Sequence, residues 1–240
     1  MTKSKNTALL ILLLLSVLLA NCGNETEKED PYQSDLTVLN HYPLEATSPC
    51  SLVVTSQGIW LVDRDYPGYI YLVSADDGST ISIYDAPGVK PTAIAYDGAN
   101  FWVSDEDSDS IYKLNPDFSV AETYLAPAED ISGLAFDPQG RLWSADRVAG
   151  CIYLHENDLS VAETYPGTYN YDFYFGLTFD GDTLWACDYF QGLIYLLNSE
   201  MSIFEYHLAP WHNPTGLAID GDILWVVDVR IHSLLKCQKP

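Results

Sequence analysis

Basic residues are scarce in this chain of 240 residues: 11 Lys and Arg stand against 34 Asp and Glu, a formal charge of −23. Such a surface repels nucleic-acid phosphates and anionic headgroups, so DNA and RNA are excluded as partners. Histidine is rare too (His41, His155, His207, His212 and His232), and no Cys or His pair has zinc spacing. A glycine-rich phosphate loop is missing, and so is a serine on a strand-to-helix elbow. After residue 20 no apolar run is long enough for a membrane-spanning helix.

What is present begins with Lys3 and Lys5, followed by an apolar run from Ala8 to Ala20. The run is too short to span a bilayer but fits the core of a secretory signal, so residues 1–21 are expected to direct export. It ends in Leu19-Ala20-Asn21-Cys22, which resembles a bacterial lipobox. That resemblance implies lipidation of Cys22, with the membrane reached through the lipid anchor only. Asn21 departs from the small residue such motifs carry, and ordinary secretory cleavage is the alternative. Residues 22–34 are polar and acidic and read as a flexible tether, because they hold too little apolar surface to offset ordering entropy. The expected location is a membrane of the bacterial envelope, on its periplasmic or outer face.

A period then runs through the remainder. Trp60, Trp102, Trp143, Trp185 and Trp225 are spaced 42, 41, 42 and 40 residues apart. Three residues after each comes an aspartate: Asp63, Asp105, Asp146, Asp188 and Asp228. Each copy reads as four short strands rich in aromatic and β-branched residues. Asp-Gly pairs at 97–98, 180–181 and 220–221 mark tight hairpins. Small residues (Ser51, Ala93, Gly133, Gly176, Gly216) recur in the first strands, as expected where twisted sheets crowd around an axis. Four-stranded units of this length predict a β-propeller over residues 35–240. The last copy lacks a fourth strand, and Asp35–Leu44 matches the fourth-strand segments. The chain is therefore expected to close a five-bladed ring with its N-terminal strand. The hexapeptide SVAETY, found at Ser119–Tyr124 and Ser160–Tyr165, is then an outer strand written twice.

The assembled unit, P-x-G-L-A-F-D-G-D-x-L-W-x-x-D-x-x-x-x-x-I-Y-x-L, resembles the NHL-like propeller group. That group includes streptogramin lyase-like, gluconolactonase-like and glutaminyl cyclotransferase-like propellers. The resemblance implies the fold across Asp35–Cys237. For activity it implies a lyase- or lactonase-type enzyme as the alternative to a binding module.

The five aspartates are too far apart, one per blade, to hold a single metal ion, and are expected to accept hydrogen bonds from loop N–H groups. Binding residues are sought where the repeats disagree, on the face carrying the loops between second and third strands and the crossings between blades. The longest crossing, Pro166–Gly176, holds Tyr169, Tyr171 and Tyr174; nearby loops hold Tyr189, Trp211, His212 and Arg230. Carboxylates join them at Asp107, Asp109, Glu129, Asp130 and Asp172. Aromatics beside carboxylates suit a glycan, a small molecule or a protein partner. The leading reading is a non-enzymatic recognition module without a cofactor. The enzymatic alternative uses His212 and carboxylates with a divalent cation. Among Cys50, Cys151, Cys187 and Cys237 the pairing stays open, with Cys187 expected as a small core residue.

Wild-type protein is expected to take up labelled fatty acid and partition into detergent, and Cys22→Ala to do neither. Soluble wild-type protein beginning downstream of Cys22 would contradict the anchor.

Overall fold

The computed structural model describes residues 34–167 and 173–240; the leader, Cys22 and most of the tether lie outside these. The described residues form twenty strands in five four-stranded antiparallel sheets. An N-terminal strand β1 (Val38–Pro43) precedes the first blade, which comprises β2 (Pro49–Thr55), β3 (Gly58–Asp63), β4 (Tyr69–Val73) and β5 (Thr80–Asp85). The second blade holds β6 (Pro91–Tyr96), β7 (Phe101–Asp105), β8 (Ser110–Leu114) and β9 (Val120–Leu125). In the third are β10 (Ile131–Phe136), β11 (Leu142–Asp146), β12 (Cys151–His155) and β13 (Val161–Pro166). The fourth is built from β14 (Tyr174–Asp180), β15 (Thr183–Asp188), β16 (Leu193–Leu197) and β17 (Ile203–Leu208). The fifth has β18 (Pro214–Asp220), β19 (Ile223–Asp228) and β20 (Ser233–Gln238), and β1 pairs with β20 as its outer strand.

First strands β2, β6, β10, β14 and β18 each pack against the first strand of the next blade and surround the axis. Close approach there explains the small residues. A Cβ on Gly176 would lie 2.7 Å from the Cα of Gly216, and one on Gly216 would lie 2.5 Å from the carbonyl oxygen of Cys50. Contacts that short exclude a side chain without moving a neighbouring backbone.

The hydrophobic core is divided into wedges between blades. Trp143 of the third blade, for example, lies in one cluster with Leu177, Leu184 and Tyr195 of the fourth. The other four blade interfaces have corresponding clusters, so every blade is covered on both faces. The five tryptophans are all at most 7% exposed. The hexapeptide copies lie on the outer strands β9 and β13. There Tyr124 stacks on Trp102 at 5.8 Å and Tyr165 on Trp143 at 5.7 Å, while the intervening residues face solvent. The duplicated peptide thus caps a tryptophan from the blade rim. Cys50, Cys151, Cys187 and Cys237 are free thiols, and Cys187 is fully buried. No helix among the described residues is long and apolar enough to cross a membrane.

Pairing of β1 with β20 has a consequence for stability, because an unpaired edge invites association. Removing residues 23–33 is expected to leave the melting temperature unchanged. Removing residues 23–44 is expected to lower it and cause aggregation. Equal melting temperatures for the two truncations would contradict the closure.

Candidate functional site

The first residue of every axial strand pairs with the repeated aspartate of the same blade: Pro49 with Asp63, Pro91 with Asp105, Ile131 with Asp146, Tyr174 with Asp188, Pro214 with Asp228. All five carboxylates are buried. Each accepts bonds from two loops at once. In the fourth blade, Oδ2 of Asp188 accepts from the crossing-loop N–H of Phe173 at 3.1 Å, and Oδ1 from Phe190 and Gln191, both at 2.8 Å. In the fifth, Asp228 accepts from Asn213 at 2.9 Å, Arg230 at 2.9 Å and Ile231 at 3.2 Å. Asp63, Asp105 and Asp146 bridge their loops in the same way. Burial pushes the carboxyls of Asp188 and Asp228 up, against the pull of these N–H donors.

In four blades the residue after the aspartate is held to the crossing loop as well. Backbone N–H groups of Arg64, Glu106, Arg147 and Val229 donate to crossing-loop carbonyls at 3.1, 3.1, 3.3 and 3.3 Å. Arg64, Arg147, Tyr189 and Val229 all line a cavity of about 590 Å³ at this end of the axis. That volume is within the range of small-molecule sites.

The floor comes from the second residue of each axial strand: Cys50, Thr92, Ser132, Phe175 and Thr215. Four of them latch one blade to the next. Thr92 donates to the carbonyl of Ile131, Ser132 to Tyr174 at 2.7 Å, Thr215 to Pro49 at 3.0 Å, and the Cys50 thiol to Pro91 at 3.5 Å. Burial pushes the Cys50 thiol up to about 12, so it stays protonated and is no nucleophile. Phe175 breaks the series, having nothing to donate. Its ring instead meets Tyr189 at 5.2 Å and lies 5.4 Å from the Arg147 guanidinium. Phe173 and Phe190, 4.9 Å apart, extend this aromatic wall to the rim.

Beside this wall stands a charged network. Glu106 pairs with Arg64, with Lys90 at 3.0 Å and with Arg147 at 3.2 Å; Arg147 Nε also donates to Asp130 Oδ2 at 2.8 Å. Burial pushes Glu106 up, but the Lys90 hydrogen bond and the two guanidiniums outweigh it and hold the carboxyl low. Asp130 comes out the other way: burial, with the Glu106 charge behind it, outweighs Arg147 and raises it. Two buried polar atoms of this wall have no protein partner, Arg64 Nε and Asp130 Oδ1.

The residues singled out from sequence are dispersed. Tyr189 and Asp130 line the cavity. Tyr174, expected at the loop surface, is a core residue 1% exposed, packed edge-on against Tyr195; the inward neighbour is Phe175. Trp211 stacks on His41 of β1 at 5.5 Å, outside the lining. His212 packs over Gly192, where an added Cβ would meet its Nδ1 at 2.0 Å, and is also outside the lining. Arg230 is exposed and takes part through its backbone. Tyr169, Tyr171 and Asp172 lie outside the described residues. Among the described residues no group of three His, Cys, Asp or Glu is placed to hold a metal ion. Sequence reasoning missed Arg64, Glu106, Arg147 and Phe175. Their signal was the position directly after the repeated aspartate, or second in the axial strand, where the copies differ.

Solved structures similar to this chain are β-propellers. Glutaminyl cyclase of Myxococcus xanthus matches with a TM-score of 0.72 at 12% identity, over 85% of this chain and 95% of that one. Virginiamycin B lyase of Staphylococcus aureus matches with a TM-score of 0.54 at 17% identity, over 82% of this chain and 68% of the lyase. A chain of the nidogen/laminin complex matches with a TM-score of 0.58 at 19% identity, over 81% and 77%. The likeness is therefore to the NHL-like and related propellers that the repeat resembles, and at these identities it is a likeness of fold. No family model and no curated protein matches the sequence.

Asp188→Ala should strand the N–H groups of Phe173, Phe190 and Gln191, costing on the order of 1–3 kcal/mol. Urea denaturation reads this as a lower midpoint than that of Phe204→Ala, an exposed control. Equal midpoints would show that the aspartate does not hold the loops.

Proposed function

We propose that the protein is an exported, lipid-anchored recognition module that takes a small molecule into the cavity at the end of the propeller axis. The observation that carries this is the cavity itself, about 590 Å³ at the end of the axis, lined by Phe173, Phe175, Tyr189 and Phe190 on one part of its wall and by Arg64, Arg147 and Asp130 on another. A concave, partly aromatic cavity suits a small ligand better than a protein surface or an extended glycan, which would use the rim.

An enzymatic reading is favoured by one feature, the raised Asp130 carboxyl in the cavity wall, because perturbed carboxyls in clefts suit proton transfer. In that reading Asp130 replaces His212 as the acid–base candidate.

A thermal-shift screen of a soluble metabolite library separates these possibilities. Compounds that stabilise the wild type are expected to lose at least about tenfold in affinity in Arg147→Met and Phe175→Ala, and nothing in Trp211→Ala. Loss only in Trp211→Ala would move the site to the outer loops. Conversion of a bound compound by the wild type but not by Asp130→Asn, with binding retained, would establish the enzyme instead.

A further inference from the structure

We infer that the cavity takes an aromatic monocarboxylate, its carboxylate held by the guanidiniums of Arg64 and Arg147 and its ring against Phe175 and Tyr189. The inference rests on the cavity being the binding site, and it names the ligand chemistry.

Two guanidiniums meet in this wall. Arg64 and Arg147 both line the cavity, and Nη2 of each donates to the same atom, Oε2 of Glu106. One oxygen therefore brings two cations into neighbouring positions. Lys90 takes the other oxygen of Glu106 at 3.0 Å, and Arg147 Nε takes Asp130 Oδ2 at 2.8 Å. Nη1 of Arg64 and Nη1 of Arg147 are left without a partner among the described residues, and neither is enclosed as Arg64 Nε is. Two open, positively charged donor groups on adjacent side chains suit the two oxygens of a carboxylate. The floor competes little for such a ligand, because Thr92, Ser132, Thr215 and Cys50 donate to the next blade.

Charge sets the sign and the number. Arg64, Lys90 and Arg147 stand against Glu106 and Asp130, so the cluster holds one cation more than it pairs. Burial raises the Asp130 carboxyl, which reduces the negative share further. The repeated aspartates give their oxygens to loop N–H groups, and they lie outside the lining, as do Asp65, Asp107 and Glu129. Salt screens exposed charges beyond about 8 Å, so the wall outweighs the acidic surface for a ligand inside the cavity. A cationic ligand would meet the excess positive charge, and a dianion would bring one charge that nothing there compensates.

The aromatic side supplies the ring. Phe173, Phe175, Tyr189 and Phe190 line the cavity, with Phe175 and Tyr189 5.2 Å apart. The Arg147 guanidinium lies 5.4 Å from the Phe175 ring, so a carboxylate held by Arg147 keeps whatever carries it within reach of that ring. A flat ring bearing the carboxylate directly reaches both at once. It buries apolar area and adds offset or edge-on ring contacts. An alkyl chain would gain the area without the ring contacts, and a bare carboxylate would gain neither.

Calorimetric titration of the full chain with naphthalene-2-carboxylate, naphthalene-2-carboxamide and (naphthalen-2-yl)methylammonium tests this, because the three share a ring and differ in charge. The carboxylate is expected to bind at least about tenfold more tightly than the amide, as loss of a charge-assisted hydrogen bond requires, and the ammonium more weakly than either. Arg64→Gln removes one guanidinium and is expected to weaken the carboxylate about tenfold while hardly changing the amide. The comparison on wild-type protein needs no variant to fold. Equal affinity for the amide, or tighter binding of the ammonium, would overturn the carboxylate assignment while leaving the cavity as a binding site. Carboxylate binding kept in Phe175→Ala and lost in Trp211→Ala would overturn the cavity as well. Binding of none of the three would overturn the assignment, and the library screen with the cavity variants would then decide the site by itself.

Discussion

A carboxylate buried at the junction of two loops is costly unless backbone N–H groups surround it, and this protein makes that arrangement five times. Each repeated aspartate ties the crossing that enters its blade to the turn that leaves its second strand. The axial strand starts directly across from it, so one side chain fixes three segments. Without it, several loop N–H groups at the end of a tightly packed sheet would face no acceptor. The five aspartates therefore set where the loops stand and which residue looks toward the axis.

From that constraint the cavity follows. The aspartate is the same in every copy, so the residue after it is positioned by the backbone and free to vary in kind. The five positions hold Arg64, Glu106, Arg147, Tyr189 and Val229. One layer below, the latch between blades is repeated four times and replaced once, by Phe175. Duplication built the ring, and divergence at two positions per copy gave it unlike sides: charged along the first three blades, aromatic along the fourth. In a chain this acidic, bringing two of its four arginines to one cavity concentrates positive charge where the rest of the surface has little.

Much of this could be read from the residues in order. The tryptophan–aspartate spacing marked the blades, and the missing last strand pointed to Asp35–Leu44 as its replacement. The close approach at Gly176 and Gly216 was visible as a column of small residues, because packing at an axis leaves one solution. The cavity was harder to see. The tyrosines of the long crossing drew attention, whereas the lining takes Phe173 and Phe175 from its end and otherwise residues that are single deviations within a repeat. Tyr174 and Phe175 show how fine the distinction is. The strand start carries a register shift between Tyr174 and Leu177, so simple alternation does not tell which ring turns inward. Trp211 and His212 were rightly placed near loops but pack against the blades, as side chains of a crowded surface can.

The central claim is that residues following the scaffold aspartates, and not the prominent outer loops, form the binding site. A crystallographic fragment screen tests it most directly. The account predicts that fragments cluster between Phe175, Tyr189, Arg64 and Asp130, with the aspartate-held loops unchanged. Fragments gathered instead around Trp211, His212 and Arg230, with the axial cavity holding only solvent, would contradict it.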